Sequence, residues 1–172
     1  AGGARAAASH TGALAADDKV FDGACRQAGV TRAANVEEAF EAAVSYSKAR
    51  KAFGRPIAEF QALRFYLADM ATDVDAARLL TRKAAAAKQE SKTTGGRYSM
   101  EAAIAKLFAA EMAQRVTTKA LQMHGGYGYT KEYPVERNFR DARITEIYEG
   151  TSEIHRLIIA REIFKDSGLQ IG

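Results

Sequence analysis

Apolar residues recur at alternating spacings of three and four along most of the chain beyond residue 35, which is the period of an amphipathic α-helix. The clearest stripe predicts a helix that runs to about Glu90, before two threonines and two glycines at residues 93–96 interrupt the pattern. A helix of about nine turns is typical of a helical bundle. The stripe consists of Phe60, Leu63, Leu67, Met70, Val74 and Ala77.

Capping residues and helix breakers set the bounds of the helix that precedes this stripe. Asn35 is a suitable N-cap, and the acidic residues after it suit the positive end of the helix dipole. We expect this first helix to end near Phe53 and Gly54. Pro56 then suits the first turn of the long helix.

Three more helices are predicted in the carboxy-terminal part of the chain. One begins after Ser99 and ends at two adjacent glycines, Pro134 opens a shorter one, and Thr151 or Ser152 caps the last. Strand patterns are nearly absent. The sequence therefore predicts an all-α fold, an antiparallel four-helix bundle, whose wide apolar stripes favour burial against another subunit.

The amino-terminal segment differs in character from the rest. Residues 1–29 are rich in alanine and glycine, and two segments of different character meet near residue 44, inside the first predicted helix. A length of 172 residues suits one main domain. We therefore predict an extension of residues 1–43 and a bundle domain of residues 44–172.

Charge and cysteine content narrow the classes of function. The formal net charge is +4, but basic and acidic residues are interspersed, so an anionic small ligand fits at least as well as nucleic acid, which we do not expect as a partner. Cys25 is the single cysteine, and no Cys/His cluster has the spacing of a metal site. No apolar run reaches the roughly 20 residues that cross a bilayer. We expect no membrane insertion, and a location in the cytoplasm or an organelle matrix.

Four local patterns, at these spacings, resemble the acyl-CoA dehydrogenase family. Each is weak alone, because glycine pairs and acidic loops are common, but the four in this order are specific. They are SKARKAFG at residues 47–54, LQMHGGYGY at 121–129, EYPVER at 132–137 and IYEGT at 147–151. The resemblance covers residues 44–166 approximately and implies the carboxy-terminal helical domain of that family, whose members are usually tetramers packed through this domain. We therefore expect a homo-oligomer, a dimer or a tetramer.

The resemblance implies an enzyme that removes a proton from Cα of an acyl-CoA thioester and a hydride from Cβ onto FAD, which gives the trans-2-enoyl thioester. Glu149 occupies the position of the base. A weakly acidic C–H bond needs a positioned base in a dry site beside an electron acceptor, and a carboxylate meets that need. The alternative for Glu149 is a carboxylate that only caps the last helix.

The resemblance also implies flavin contacts for seven residues, some of them on the dinucleotide of a neighbouring subunit. A guanidinium suits a pyrophosphate because its planar donors meet two oxygens, and glycines permit close backbone approach. Some of these residues also have a structural alternative. Phe53 would be a core residue, Gln122 would face solvent, and the two glycines would end a helix. Glu153 stands where the family often has glutamine. The seven residues are Arg50, Phe53, Gln122, Gly125, Gly126, Thr151 and Glu153.

Residues 7–43 resemble a fragment of the ADP-forming acyl-CoA ligases, in which a loop histidine is phosphorylated. His10 occupies that position, although the other domains that the ligase reaction needs are not recognisable, so we expect it to be inert. The chain thus resembles two CoA-related fragments joined inside a helix.

Two hypotheses for the function remain open. Dehydrogenases of this family carry an amino-terminal helical domain and a middle β-domain ahead of the segment matched here, and neither is recognisable in this sequence. Because the middle domain supplies much of the flavin and thioester contact, we expect catalysis by the chain alone to be incomplete. The first hypothesis is a flavin-contacting dehydrogenase domain. The alternative is a non-catalytic helical oligomer that binds no cofactor.

Overall fold

The computed structural model describes residues 36–165 and Ser167, which form five α-helices, two short strands and two 3-10 turns. The helices are α1 (Val36–Ala49), α2 (Gln61–Thr94), α3 (Ser99–His124), α4 (Val135–Ile144) and α5 (Ser152–Ile163). Strands β1 (Lys51–Ala52) and β2 (Arg55–Pro56) form a hairpin, and the 3-10 turns are Ile57–Glu59 and Gly125–Tyr129. The predicted all-α bundle is confirmed.

The predicted amino-terminal extension is largely outside the part of the chain that the structure describes. His10, Cys25 and the N-cap position Asn35 all lie outside the described residues. The division of the chain at residue 43 therefore stays a prediction.

Helix α3 is the centre of the bundle and packs against each of the other four helices. Its buried face carries many alanines, which let neighbouring backbones approach closely, together with larger residues such as Met112 and Val116. The core that results draws on α1, α2, α3 and α4. Its buried members are Ala39, Ala43, Met70, Val74, Ala77, Met112, Val116, Ala120, Met123 and Val135.

The first helix ends four residues earlier than the sequence predicts. Helix α1 stops at Ala49, and the chain turns back through the hairpin with Phe53 and Gly54 at its tip. Both tip residues have positive φ, 53° and 82°, which is the backbone of a type I′ turn that matches the twist of paired strands. Pro56 correspondingly lies in β2 and not in a helical first turn. Phe53 is 95% exposed, so its interpretation as a core residue is wrong.

The last helix keeps much of its apolar surface exposed. Ile154 and Leu157, and Phe164 directly after the helix, are all exposed, although α5 as a whole packs against α3. No helix in the described region is both long enough and apolar enough to span a membrane.

Candidate cofactor cleft and the turn at Glu149

A cleft of about 500 Å³ lies where the end of helix α1 meets the end of helix α3 and the 3-10 turn that follows it. Four of the residues with predicted flavin contacts line this cleft, and they are Arg50, Gln122, Gly125 and Gly126. Arg50 is far from the other three in sequence, and packing of α1 on α3 brings them together. The cleft is thus formed by tertiary contacts and not by one local motif.

Aromatic rings form one wall of the cleft. The rings of Tyr46 and His124 stack with their centroids 4.1 Å apart, and the Tyr46 hydroxyl donates a hydrogen bond of 3.3 Å to the His124 carbonyl oxygen. Tyr133 packs edge-on against both rings, at 5.7 and 5.5 Å. Tyr127 lies beside Tyr133 at 5.9 Å. These contacts fix the end of α3 relative to α1.

His124 is buried in this cluster. Its Nδ1 lies 2.8 Å from the Ala120 carbonyl oxygen, which only accepts, so Nδ1 carries the proton of a neutral ring. Burial lowers the pKa of His124 below its ordinary value, and the hydrogen bond to Ala120 opposes that shift only in part. Burial raises the pKa of the Tyr46 hydroxyl above its ordinary value, although the positive charge of the nearby Arg50 acts to lower it. Both rings therefore stay uncharged near neutral pH.

Arg50 is the cation of the cleft. Its guanidinium lies over the Tyr127 ring, 5.1 Å from the centroid, and within the described region no carboxylate forms an ion pair with it. No atom lies within 4 Å of the position that a Cβ would take at Gly125 or Gly126, and Gly125 has a φ of +60°. The backbone of the two glycines is therefore open to close approach by a ligand.

Glu149 lies in a second place, the turn that leads into helix α5. Its side chain is exposed and its φ is +52°, and the next residue, Gly150, has a φ of +98°. Among the residues that the structure describes, Glu149 and Phe53 are the only non-glycine residues with positive φ. Such strained backbone concentrates at functional sites, and both residues carry predicted roles.

The first turn of α5 is held by its own side chains. The Thr151 hydroxyl accepts a hydrogen bond of 3.4 Å from the Ile154 N–H, which confirms the predicted cap. Hydrogen bonds from its own backbone N–H and from the Thr151 hydroxyl lower the pKa of the Glu153 carboxyl. Thr151 supplies the cap of α5, so the alternative in which Glu149 only caps this helix is not observed.

The eight predicted site residues thus fall into three places. Four line the cleft, Phe53 is at the hairpin tip, and Glu149, Thr151 and Glu153 are at the start of α5. Sequence reasoning missed the aromatic wall, although two signals point to it. Tyr46 precedes Arg50 by one helical turn, and His124 directly precedes the glycine pair.

Comparisons with known proteins agree with both parts of the sequence. The family model described as acyl-CoA dehydrogenase, C-terminal domain, matches residues 26–164, and the succinyl-CoA ligase-like flavodoxin domain matches residues 1–45. Both resemblances inferred from the sequence are confirmed by these matches. The two matched ranges overlap across the start of helix α1.

Individual relatives match most of this chain but only about a third of their own length. A probable acyl-CoA dehydrogenase of Bacillus subtilis is 53% identical over 129 residues, which are 75% of this chain and 33% of that protein. A short-chain specific acyl-CoA dehydrogenase of Clostridium acetobutylicum is 54% identical with the same coverage of both chains. The structure of butyryl-CoA dehydrogenase from Megasphaera elsdenii matches with a TM-score of 0.71 at 49% identity and covers 75% of this chain and 33% of its own.

The bundle and its family match together define a helical domain of the acyl-CoA dehydrogenase type. The chain belongs to the acyl-CoA dehydrogenase family. It spans about a third of the length of the relatives that it matches.

The burial of neutral His124 predicts a loss of stability in mild acid. Because the pKa of His124 is lowered in the folded chain, the unfolded chain binds this proton first as the pH falls below the ordinary value of 6.5. The free energy of unfolding, measured by urea denaturation, should therefore decrease between about pH 7.5 and pH 5.5. His124→Asn keeps an N–H donor for Ala120 but does not titrate, so its unfolding free energy should depend less on pH. An unchanged pH dependence in this variant would contradict the assignment.

The left-handed backbone at Glu149 predicts that glycine is more stable there. Glu149→Gly should raise the free energy of unfolding by about 0.5–1 kcal/mol relative to Glu149→Ala, because alanine keeps the strain and glycine relieves it. Both variants remove the same exposed carboxylate, so the difference between their urea midpoints isolates the backbone effect. Equal midpoints would show that residue 149 does not hold a left-handed conformation in solution.

Proposed function

We propose that this chain is the flavin-contacting helical domain of an acyl-CoA dehydrogenase, with Glu149 as the base for the substrate's α-proton. The observation that carries the proposal is the gathering of Arg50, Gln122, Gly125 and Gly126 around one cleft. Arg50 belongs to one family motif, and the other three residues belong to a second motif much farther along the chain. The two motifs by themselves do not require these residues to line one cleft.

The chemistry of the cleft suits a phosphate-rich dinucleotide. Arg50 is a cation without a carboxylate partner in the described region, and its planar guanidinium meets two pyrophosphate oxygens at once. The backbone at Gly125 and Gly126 is open, and the amide of Gln122 offers both donors and acceptors to the adenosine half. A bound flavin supplies the acceptor for the hydride that leaves the substrate's β-carbon.

Glu149 moves the proton in this scheme. Its carboxylate takes the proton from Cα of the acyl-CoA, and the electron pair of the broken C–H bond becomes the second bond between Cα and Cβ as the hydride departs from Cβ. The product is the trans-2-enoyl thioester. Thr151 and Glu153 order the turn that carries this carboxylate and are proposed flavin contacts beside it.

Phe53 supports a shared site between subunits. A phenyl ring that is 95% exposed at the tip of a hairpin contacts little of its own chain beyond the edge-on ring of Phe60 at 6.1 Å. We assign it to the dinucleotide of a neighbouring subunit. The assembly is then a homo-oligomer, a dimer or a tetramer.

A second candidate function is a helical oligomer without a cofactor. The observation that favours it is the amount of exposed apolar surface at the carboxy-terminal end, together with a chain that spans about a third of its relatives. The exposed residues include Ile144, Ile147, Tyr148, Ile154, Leu157, Ile163 and Phe164. Such a chain would associate but stay colourless.

Flavin binding separates the two candidates. After incubation with FAD and removal of free cofactor, the purified chain should absorb near 450 nm, the approximate position of the oxidised flavin band. Arg50→Gln should weaken the affinity for FAD about tenfold or more, because a charge-assisted pair with the pyrophosphate is lost. Lys51→Gln removes the adjacent cation, which does not line the cleft, and should leave the affinity nearly unchanged. A colourless chain would favour the cofactor-free oligomer, and equal losses in both variants would remove Arg50 from its proposed contact with the pyrophosphate.

Replacement of the proposed base tests the chemistry. Glu149→Gln should bind FAD like the wild-type chain but reduce the rate at which an acyl-CoA bleaches the flavin by roughly 100-fold or more, because only the proton acceptor is lost. Glu162→Gln removes a carboxylate from the far end of α5 and serves as the control. Equal bleaching by Glu149→Gln and the wild-type chain would remove Glu149 from its role.

A further inference from the structure

We propose that Lys106 is a positioning residue for Glu149, an inference that rests on the proposed function of Glu149 as the base. The Lys106 ammonium, on helix α3, donates a hydrogen bond of 2.6 Å to the carbonyl oxygen of Gly150. Lys106 precedes Gly150 by 44 residues, so the contact ties the turn before α5 to the central helix of the bundle. It holds the peptide unit between Gly150 and Thr151, one unit beyond the peptide that directly follows the proposed base.

The turn needs such a contact because its backbone is disfavoured. Glu149 has a φ of +52°, a left-handed conformation in which the Cβ of an L residue crowds the following carbonyl. A chain relieves this conformation unless its surroundings fix it. If Glu149 relaxed to negative φ, the direction of its Cα–Cβ bond would change and the carboxylate would move with it.

Backbone contacts close the loop but leave its centre to Lys106. The Ser152 N–H donates to the Glu146 carbonyl at 3.1 Å, which brings the ends of the loop together. Between them, no other described side chain hydrogen-bonds the backbone of Glu149 or Gly150. Lys106 is therefore the side chain that fixes the middle of the turn.

His155 limits which residue can follow the base. A Cβ at position 150 would lie 3.1 Å from its Nε2, and Gly150 has a φ of +98°, so only glycine fits without displacing the ring. Both ring nitrogens of His155 and the Oγ of Ser152 are buried without a partner in the described region. The ring thus acts as a wall against Gly150, whose carbonyl is held by Lys106 from helix α3. The turn is clamped from two elements.

The clamp supplies pre-organisation. A hydrogen bond from a charged donor is stronger than one between neutral groups, and this one is partly buried. It keeps the Cα–Cβ bond of Glu149 in one direction before substrate arrives, and such pre-set geometry favours a general base. Lys106 itself carries no proton of the reaction.

The test reads the conformation of the turn by NMR on the isotope-labelled full chain, without flavin or acyl-CoA. A left-handed φ gives Glu149 a strong intraresidue NOE between its amide and α protons. Lys106→Met should weaken this NOE and speed hydrogen exchange of the Ser152 amide about tenfold or more, because the loop loses its charged hydrogen bond. Amides in the core of α3, such as that of Val116, should keep their exchange rates. Lys106→Arg keeps a charged donor and should restore the wild-type NOE.

Lys119→Met is the matched control. Lys119 lies on the same helix and pairs with Asp69 at 2.8 Å, so this variant loses a lysine contact of α3 without touching the turn. An unchanged Glu149 NOE and unchanged Ser152 exchange in Lys106→Met, or the same changes in Lys119→Met, would overturn the proposal.

If Lys106→Met does not fold, proton exchange in the wild-type chain provides the test. The Lys106 ammonium protons should exchange with water more slowly than those of exposed Lys48, and equal rates would overturn the proposal. If the chain binds no flavin, the proposed function is contradicted. The NMR result on Lys106 still holds, because it is measured without flavin.

Discussion

Close packing of helix α3 against its four neighbours is the constraint on which both candidate sites depend. Its carboxy-terminal end meets α1, and that contact assembles the cleft around Arg50 and Gln122. Its amino-terminal half carries Lys106, which reaches the turn before α5. Alanines along the buried face of α3 allow these approaches, because a larger side chain there would push a neighbouring helix outward. The same helix therefore supports the fold and places the groups that carry chemistry.

The long helices were predictable because their signals are local and strong. Apolar spacing defined α2, and glycines in left-handed or otherwise special conformations marked the ends of α2 and α3. The hairpin after α1 was missed, since two-residue strands are too short to show a period of two. Moreover, its turn places Phe53 where a glycine or asparagine is the usual signal, so that position carries no turn signal in the sequence.

The candidate site, too, was predictable only in part. Arg50, Gln122 and Glu149 were found through family motifs, but the cleft and the strained turn are products of contacts between residues distant in sequence. Lys106 carried a weaker signal that was overlooked. It lies three residues after Ala103 and four before Ala110, both buried, so it is a cation in a row of small inward-facing residues. A charged residue in such a row indicates a specific polar partner, although the sequence alone does not name it.

The length of α3 has a consequence for how a cofactor would be held. Lys106, which contacts the turn at Glu149, and Gln122, which lines the cleft, are 16 residues apart, so they are separated by about 24 Å along the helix axis. On the proposed function, the group that holds the pyrophosphate and the group that removes the proton are therefore set apart by the length of this helix. A single coenzyme serves both only if it lies extended along the helix or if a second copy of the chain supplies one of the two groups.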